Sequence, residues 1–212
     1  MMTAAGGCPL PPPGITNRTL PVVTIDLHAR PLYRVHRSSR GAVHFNQPSV
    51  TTQRYRFDAP AGSAPGREFG VLYGGFSLSC CVFETIVRDR FAGVPVPLLI
   101  EQTEFDTRSI SRVVTDPARP LRLVDFTQPL APFGASTLIM SVNDYEGPSL
   151  WSEAVHDNVN NLDGIYFTSR FSGEPCVAVF DRVSLAVAGA AVPLLTATGT
   201  DAFLTLHGID LF

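Results

Sequence analysis

The sequence contains no lysine: all sixteen basic residues of its 212 are arginine, set against nineteen acidic ones for a formal net charge of −3. A chain with that balance carries no overall basic field, which removes direct nonspecific nucleic-acid binding from its expected functions. Uninterrupted apolar runs are also missing, none approaching the roughly 18 residues of a membrane span. The first fourteen residues have neither a basic leader nor a continuous apolar stretch, so a cytoplasmic protein is expected. The four cysteines, Cys8, Cys80, Cys81 and Cys176, show no C-x-x-C spacing and are expected to be reduced. Phosphate-binding G-x-x-x-x-G-K-[ST], dinucleotide G-x-G-x-x-G, esterase G-x-S-x-G and zinc-protease H-E-x-x-H patterns are all absent, and the five histidines lack helical ligand spacing. No metal is expected.

A hydrophobic fraction of 45% with 17% charged residues fits one well-filled globular domain of this length. Residues 1–19 hold Pro9, Pro11, Pro12 and Pro13, which disfavour helix and predict an extended N-terminal arm preceding a domain over 20–212. Alternation and turn residues predict strands over 20–25, 31–36, 69–73, 109–115, 121–126, 164–169 and 176–180, with a short strand at 54–57 inside a loop-rich stretch. Gly74-Gly75 predicts a turn after the 69–73 strand, and Ser77 then caps a helix running to Arg88. A second helix is expected over 149–158, with Gly147 and Pro148 ahead of it, and Ser172-Gly173 as a turn between the last two strands. There is no regular strand–helix–strand repeat, so the fold class expected is α+β, a single mixed domain.

Glu84 is the most conspicuous candidate. Its helical neighbours Cys80, Cys81 and Val87 are apolar, and a carboxylate among them needs a partner or a task. An i,i+4 ion pair with Arg88 and a catalytic role both satisfy that need. Arg34 and Arg56 lie in short apolar or aromatic segments, where each either clamps an anion or packs its stem and solvates its head. Tyr73 and Ser169 fall at expected strand ends. Together, two arginines, a tyrosine, a glutamate and a serine suit a phosphate-bearing ligand whose reaction develops positive charge, as a dinucleotide losing nicotinamide does. A serine-hydrolase set of Ser169, His156 and Asp125 and a noncatalytic anion-binding module are the rivals.

The order of segments resembles the RES domain, the toxin half of RES–Xre toxin–antitoxin systems. Leu32-Tyr33-Arg34-Val35 is similar to the family's opening strand and Arg56-Phe57 to its second arginine step. Phe69-Gly70-Val71-Leu72-Tyr73-Gly74-Gly75 followed by Phe83-Glu84-Thr85 resembles its tyrosine strand and glutamate helix. Leu121-Arg122-Leu123-Val124-Asp125-Phe126 and Asp163-Gly164-Ile165-Tyr166-Phe167-Thr168-Ser169 resemble its later strands, so the likeness runs over residues 31–181. The resemblance implies a split, ADP-ribosyltransferase-like β core and a toxin that consumes NAD by hydrolysis, by phosphorolysis or by ADP-ribosylating a protein. It assigns Arg34 and Arg56 to the phosphates, Tyr73 to the nicotinamide side, Glu84 with Arg34 to the reaction and Ser169 to ligand binding. It also implies an Xre-like antitoxin covering the cleft, DNA contact through that partner alone, and a higher-order toxin–antitoxin oligomer. The Pro/Gly-rich stretch 59–67 is longer than the family spacing and leaves Arg54 and Arg67 as alternatives to Arg56.

Overall fold

The computed structural model describes residues 3–47, 54–63, 67–91 and 93–212. Its strands are β1 Val22–Ile25, β2 Leu32–Arg37, β3 Val71–Gly75, β4 Leu98–Ile100, β5 Arg108–Thr115, β6 Leu121–Asp125, β7 Gly164–Thr168, β8 Pro175–Phe180, β9 Leu185–Val187, β10 Val192–Pro193 and β11 Ile209–Leu211. Its α-helices are α1 Leu78–Val82, α2 Thr103–Asp106, α3 Leu138–Ser141, α4 Glu146–His156 and α5 Thr200–His207. Among the described residues the main sheet runs β1-β6-β7-β8-β3-β2-β5-β10, with β9 also on β5, and β4 and β11 form a separate parallel pair. Among the described residues only β6 and β7 are parallel within the main sheet. The fold is α+β.

Strand β8 shows how the sheet is held. Cys176, Ala178 and Phe180 enter one apolar cluster and Val177 and Val179 another, so both faces of the strand are covered. A strand buried on both faces reads as a continuous apolar run, which is how its sequence looks. Trp151, Phe57 and Phe180 fill the first cluster and Leu32, Leu72 and Leu123 the second. A third cluster, of Val35, Val82, Ile86 and Phe203, lies under α1 and α5. Each of these larger side chains contributes roughly 1.5–3 kcal/mol when fully buried.

The sheet is nearly split in the middle. Strands β2 and β3 share the single register pair Tyr33↔Gly75, whereas β2 pairs with β5 over six residues and β3 with β8 over five. Two half-sheets therefore diverge from one contact.

Several local expectations are corrected. Gly74 and Gly75 are the last residues of β3, not a turn; a Cβ on Gly75 would come within 2.8 Å of the Cys80 sulfur, so glycine here admits close helix packing. The expected helix from Ser77 to Arg88 divides. Ser77 does cap α1, its Oγ accepting from Cys80 N at 2.9 Å, but residues Phe83–Val87 form a π turn, closed by Arg88 N donating to Phe83 O, and Arg88–Phe91 a 3-10 turn. Residues 54–57 form no strand, because the segment closes on itself through Asp58 N to Tyr55 O at 3.2 Å and Tyr55 N to the Asp58 carboxylate at 2.8 Å. Helix α4 includes Gly147 and Pro148 in its first turn, where a missing N–H costs nothing, and Asp144 accepts from Glu146 N at 2.8 Å.

The Pro-rich segment is not an extended arm. It makes 3-10 turns at Ala5–Gly7 and Ile15–Asn17, buries Cys8 and Ile15, and packs on α4, where Trp151 Nε1 donates to Pro9 O at 2.7 Å. Asn158 holds the same segment through Arg18 O at 3.0 Å. Among the described residues no helix is long and apolar enough to cross a membrane.

Candidate active site

A cavity of about 1150 Å³, counted out to its open mouth, lies where β2 and β3 diverge. Strand β2 supplies Arg34, β3 supplies Tyr73, the π turn supplies Glu84, and the turn at 54–58 supplies Tyr55 and Arg56. Arg40, Arg88 and Arg170 also face it, so among the described residues five arginines and one carboxylate line the cavity. The four expected residues Arg34, Arg56, Tyr73 and Glu84 are thus brought together from positions up to fifty residues apart.

Arg34 is fixed by the alternation of β2, which sends Tyr33 and Val35 to the third cluster and Arg34 to the cavity. Its Nη1 donates to Ala42 O at 2.8 Å and His44 O at 2.7 Å, and burial pulls its pKa down to about 10. Arg56 is buried; its Nη1 donates to Val142 O at 2.7 Å and its guanidinium lies 5.1 Å from the Tyr145 ring centre. Burial, and then the neighbouring Arg170 charge, lowers the Arg56 pKa. A guanidinium buried in this way is short of solvent around its charge and favours an anion that takes the solvent's place. Neither alternative arginine lines the cavity: Arg54 donates to Ala59 O at 2.9 Å, and Arg67 pairs with Asp157 at 2.7 Å on the surface. Of the stretch 59–67, residues 64–66 lie outside the described residues.

Glu84 is half-buried, and burial raises its carboxyl pKa. The nearby Ser169 hydroxyl and the charges of Arg56, Arg88 and Arg170 oppose the rise. The i,i+4 ion pair with Arg88 is not formed. The π turn and a positive φ of 45° at Arg88 carry that side chain away to the Tyr55 ring, 5.2 Å from its centre. A positive φ on arginine is strained backbone at the edge of the site.

Ser169 is almost fully buried and does not line the cavity. Its hydroxyl accepts from Phe171 N at 3.2 Å and Ser172 N at 3.1 Å in the turn joining β7 to β8. It therefore holds the turn together near Glu84. The hydrolase set is not assembled: His156 stacks on Phe69 and contacts Asp157, while Asp125 accepts from Thr127 and Gln128.

Three further residues belong to the site. Arg170, next to Ser169, donates through Nη2 to both Asp89 oxygens at 2.7 and 2.8 Å and contributes to the field on Glu84. Tyr55 meets Tyr73 edge-on with ring centres 5.8 Å apart. Asp58 lies beneath them, its carboxyl raised by burial to about 6 and drawn back by hydrogen bonds from Tyr55 N, Tyr73 and Asn46. The adjacency of Arg170 to Ser169 was a usable signal, but nothing in the spacing of Asp58 marks it. Among the described residues no three His, Cys, Asp or Glu side chains cluster as metal ligands.

An α+β domain with a nearly split sheet and an arginine-lined cavity around one carboxylate defines the class. The sequence matches the RES domain over residues 31–199, and the chain belongs to that family. A search of curated protein sequences finds no match. Among solved structures, the fold is similar to that of a chain in the crystal structure of the M. tuberculosis MbcT–MbcA toxin–antitoxin complex, with a TM-score of 0.55 at 13% identity. The alignment covers 85% of this chain and 94% of that one.

Proposed function

We propose that this RES-domain chain is the toxin of a toxin–antitoxin pair and consumes NAD by cleaving the bond between nicotinamide and its ribose. The supporting observation is the Glu84 carboxyl, near Ser169 and lining one cavity with Arg34, Arg56, Arg88 and Arg170. The fold's likeness to a chain of a toxin–antitoxin complex supports the toxin assignment.

In this reading Arg34 and Arg56 hold the diphosphate, and the Tyr73 ring packs beside the nicotinamide riboside. The C–N bond breaks, its electron pair leaves with neutral nicotinamide, and positive charge develops on the ribose C1′ and ring oxygen. The Glu84 carboxylate, shielded from water, stabilises that charge more strongly than an exposed one would. Water or phosphate then bonds to C1′ and releases a proton. An antitoxin of the Xre type covers the cavity mouth and supplies any contact with DNA.

Free nicotinamide measured by chromatography tests the reading. Purified protein incubated with NAD should release it, with ADP-ribose as co-product in phosphate-free buffer or a phosphorylated ADP-ribose when phosphate is the acceptor. ADP-ribosylated protein would redirect the acceptor to a side chain. NAD left intact under all conditions, with no modified protein, would overturn the proposal.

A further inference from the structure

Asp58 is 1% exposed and lies at the closed turn that follows Tyr55 and Arg56. Its carboxylate accepts from Tyr55 N at 2.8 Å, from the Tyr73 hydroxyl at 3.0 Å and from Asn46 Nδ2. The Tyr73 oxygen in turn accepts from Phe57 N at 2.8 Å, and the Phe57 carbonyl is held by Ser152 Oγ at 2.6 Å. The phenol is thus engaged as donor and as acceptor by one turn of chain. Its hydroxyl points into the protein, and what it leaves to the cavity is the ring, set edge-on to Tyr55.

A buried carboxylate is costly unless it has such partners, and bonds to an ionised acceptor are the stronger kind. Replacing the aspartate by a neutral group would weaken the hold on the Tyr73 hydroxyl, leaving the Phe57 N–H as its firm partner, and loosen both aromatic rings and Arg56. The groups facing Asp58 are Tyr73 from β3, Asn46 from the segment bridged to Val71, and Tyr55 and Arg54 from its own turn.

Resting on the NAD reading above, we propose that Asp58 is a positioning residue. It anchors the Tyr73 hydroxyl and the 54–58 turn, so that the ligand meets two oriented aromatic faces and a fixed Arg56. Asp58 does not touch the ligand; it acts through Tyr73, Tyr55 and Arg56.

The experiment compares the full chain with Asp58→Asn and Tyr73→Phe. It reads the 13Cζ resonance of Tyr73, assigned by its loss in Tyr73→Phe, and the Kd for NAD by calorimetry. In Asp58→Asn the Tyr73 resonance is expected to move at neutral pH and the Kd to rise about tenfold. Tyr73→Phe, which removes the same bond from the other side, is expected to weaken NAD to a similar extent, and it decides the matter if Asp58→Asn fails to fold. A Tyr73 resonance unmoved by Asp58→Asn, or a Kd unchanged in either variant, overturns the positioning role. Wild-type protein that binds no NAD overturns the ligand reading instead, and the resonance still reports whether Asp58 holds Tyr73.

Discussion

Glu84 is held in a place that costs stability. Its carboxyl pKa is raised by burial, so the folded state takes up a proton more readily than the unfolded chain does. That penalty is absent below the unfolded value of about 4.5, grows as pH rises, and is complete above the folded value. Glu84→Gln should therefore melt at a higher temperature than wild type near neutral pH, and the gap should close toward pH 4. Equal melting temperatures across that range would contradict the account. Arg34 belongs to the same scale: Arg34→Ala removes a ligand-facing charge and should raise KM for NAD about tenfold or more while changing kcat less.

Gly164 shows what a motif glycine does at the scale of an element. It opens β7 with φ 156°, and a Cβ there would meet Ala178 O at 2.1 Å across the β7–β8 pair. The preceding Asp163 is equally structural, taking both ends of the Arg119 fork at 2.8 Å and Arg122 N at 2.8 Å. Gly164→Ala should cost at least the roughly 1–3 kcal/mol of overpacking, measured by urea denaturation. Gly173→Ala, in the open turn after Ser169 with φ 71°, should cost only about 1 kcal/mol of backbone strain. The central strands were legible because burial on both faces writes an apolar run, and α4 because its periodicity is long enough. The π turn that carries Glu84 was not, since Thr85, Ile86 and Val87 read equally well as ordinary helix. Strand β4 and everything after β8 were missed because those elements are short and stabilised by one another rather than by local pattern. Arg34, Arg56, Tyr73 and Glu84 were visible as residues, yet Asp58 was not, because its role exists only once Tyr73 crosses the 54–58 turn.

Across the whole molecule, residues 3–19 act as part of the core. Trp151 is the only tryptophan and is 1% exposed beneath Pro9. Deleting residues 1–19 should lower the melting temperature and shift Trp151 emission to the red; unchanged emission would contradict the packing. The charge distribution has a consequence as well, since a chain of net charge −3 lines its cavity, among the described residues, with five arginines and one carboxylate. On the proposed function, an anionic dinucleotide would be drawn by a local field that salt screens within about 8 Å at physiological ionic strength, so KM for NAD should rise with added salt. The central claim is that the Glu84 carboxylate drives cleavage of NAD in an arginine-lined site. Nicotinamide release and NAD binding measured side by side for wild type and Glu84→Gln test it most directly. The account predicts that Glu84→Gln binds NAD within a few-fold of wild type and loses turnover by at least about a hundredfold. Retained turnover, or binding lost together with it, would contradict the account.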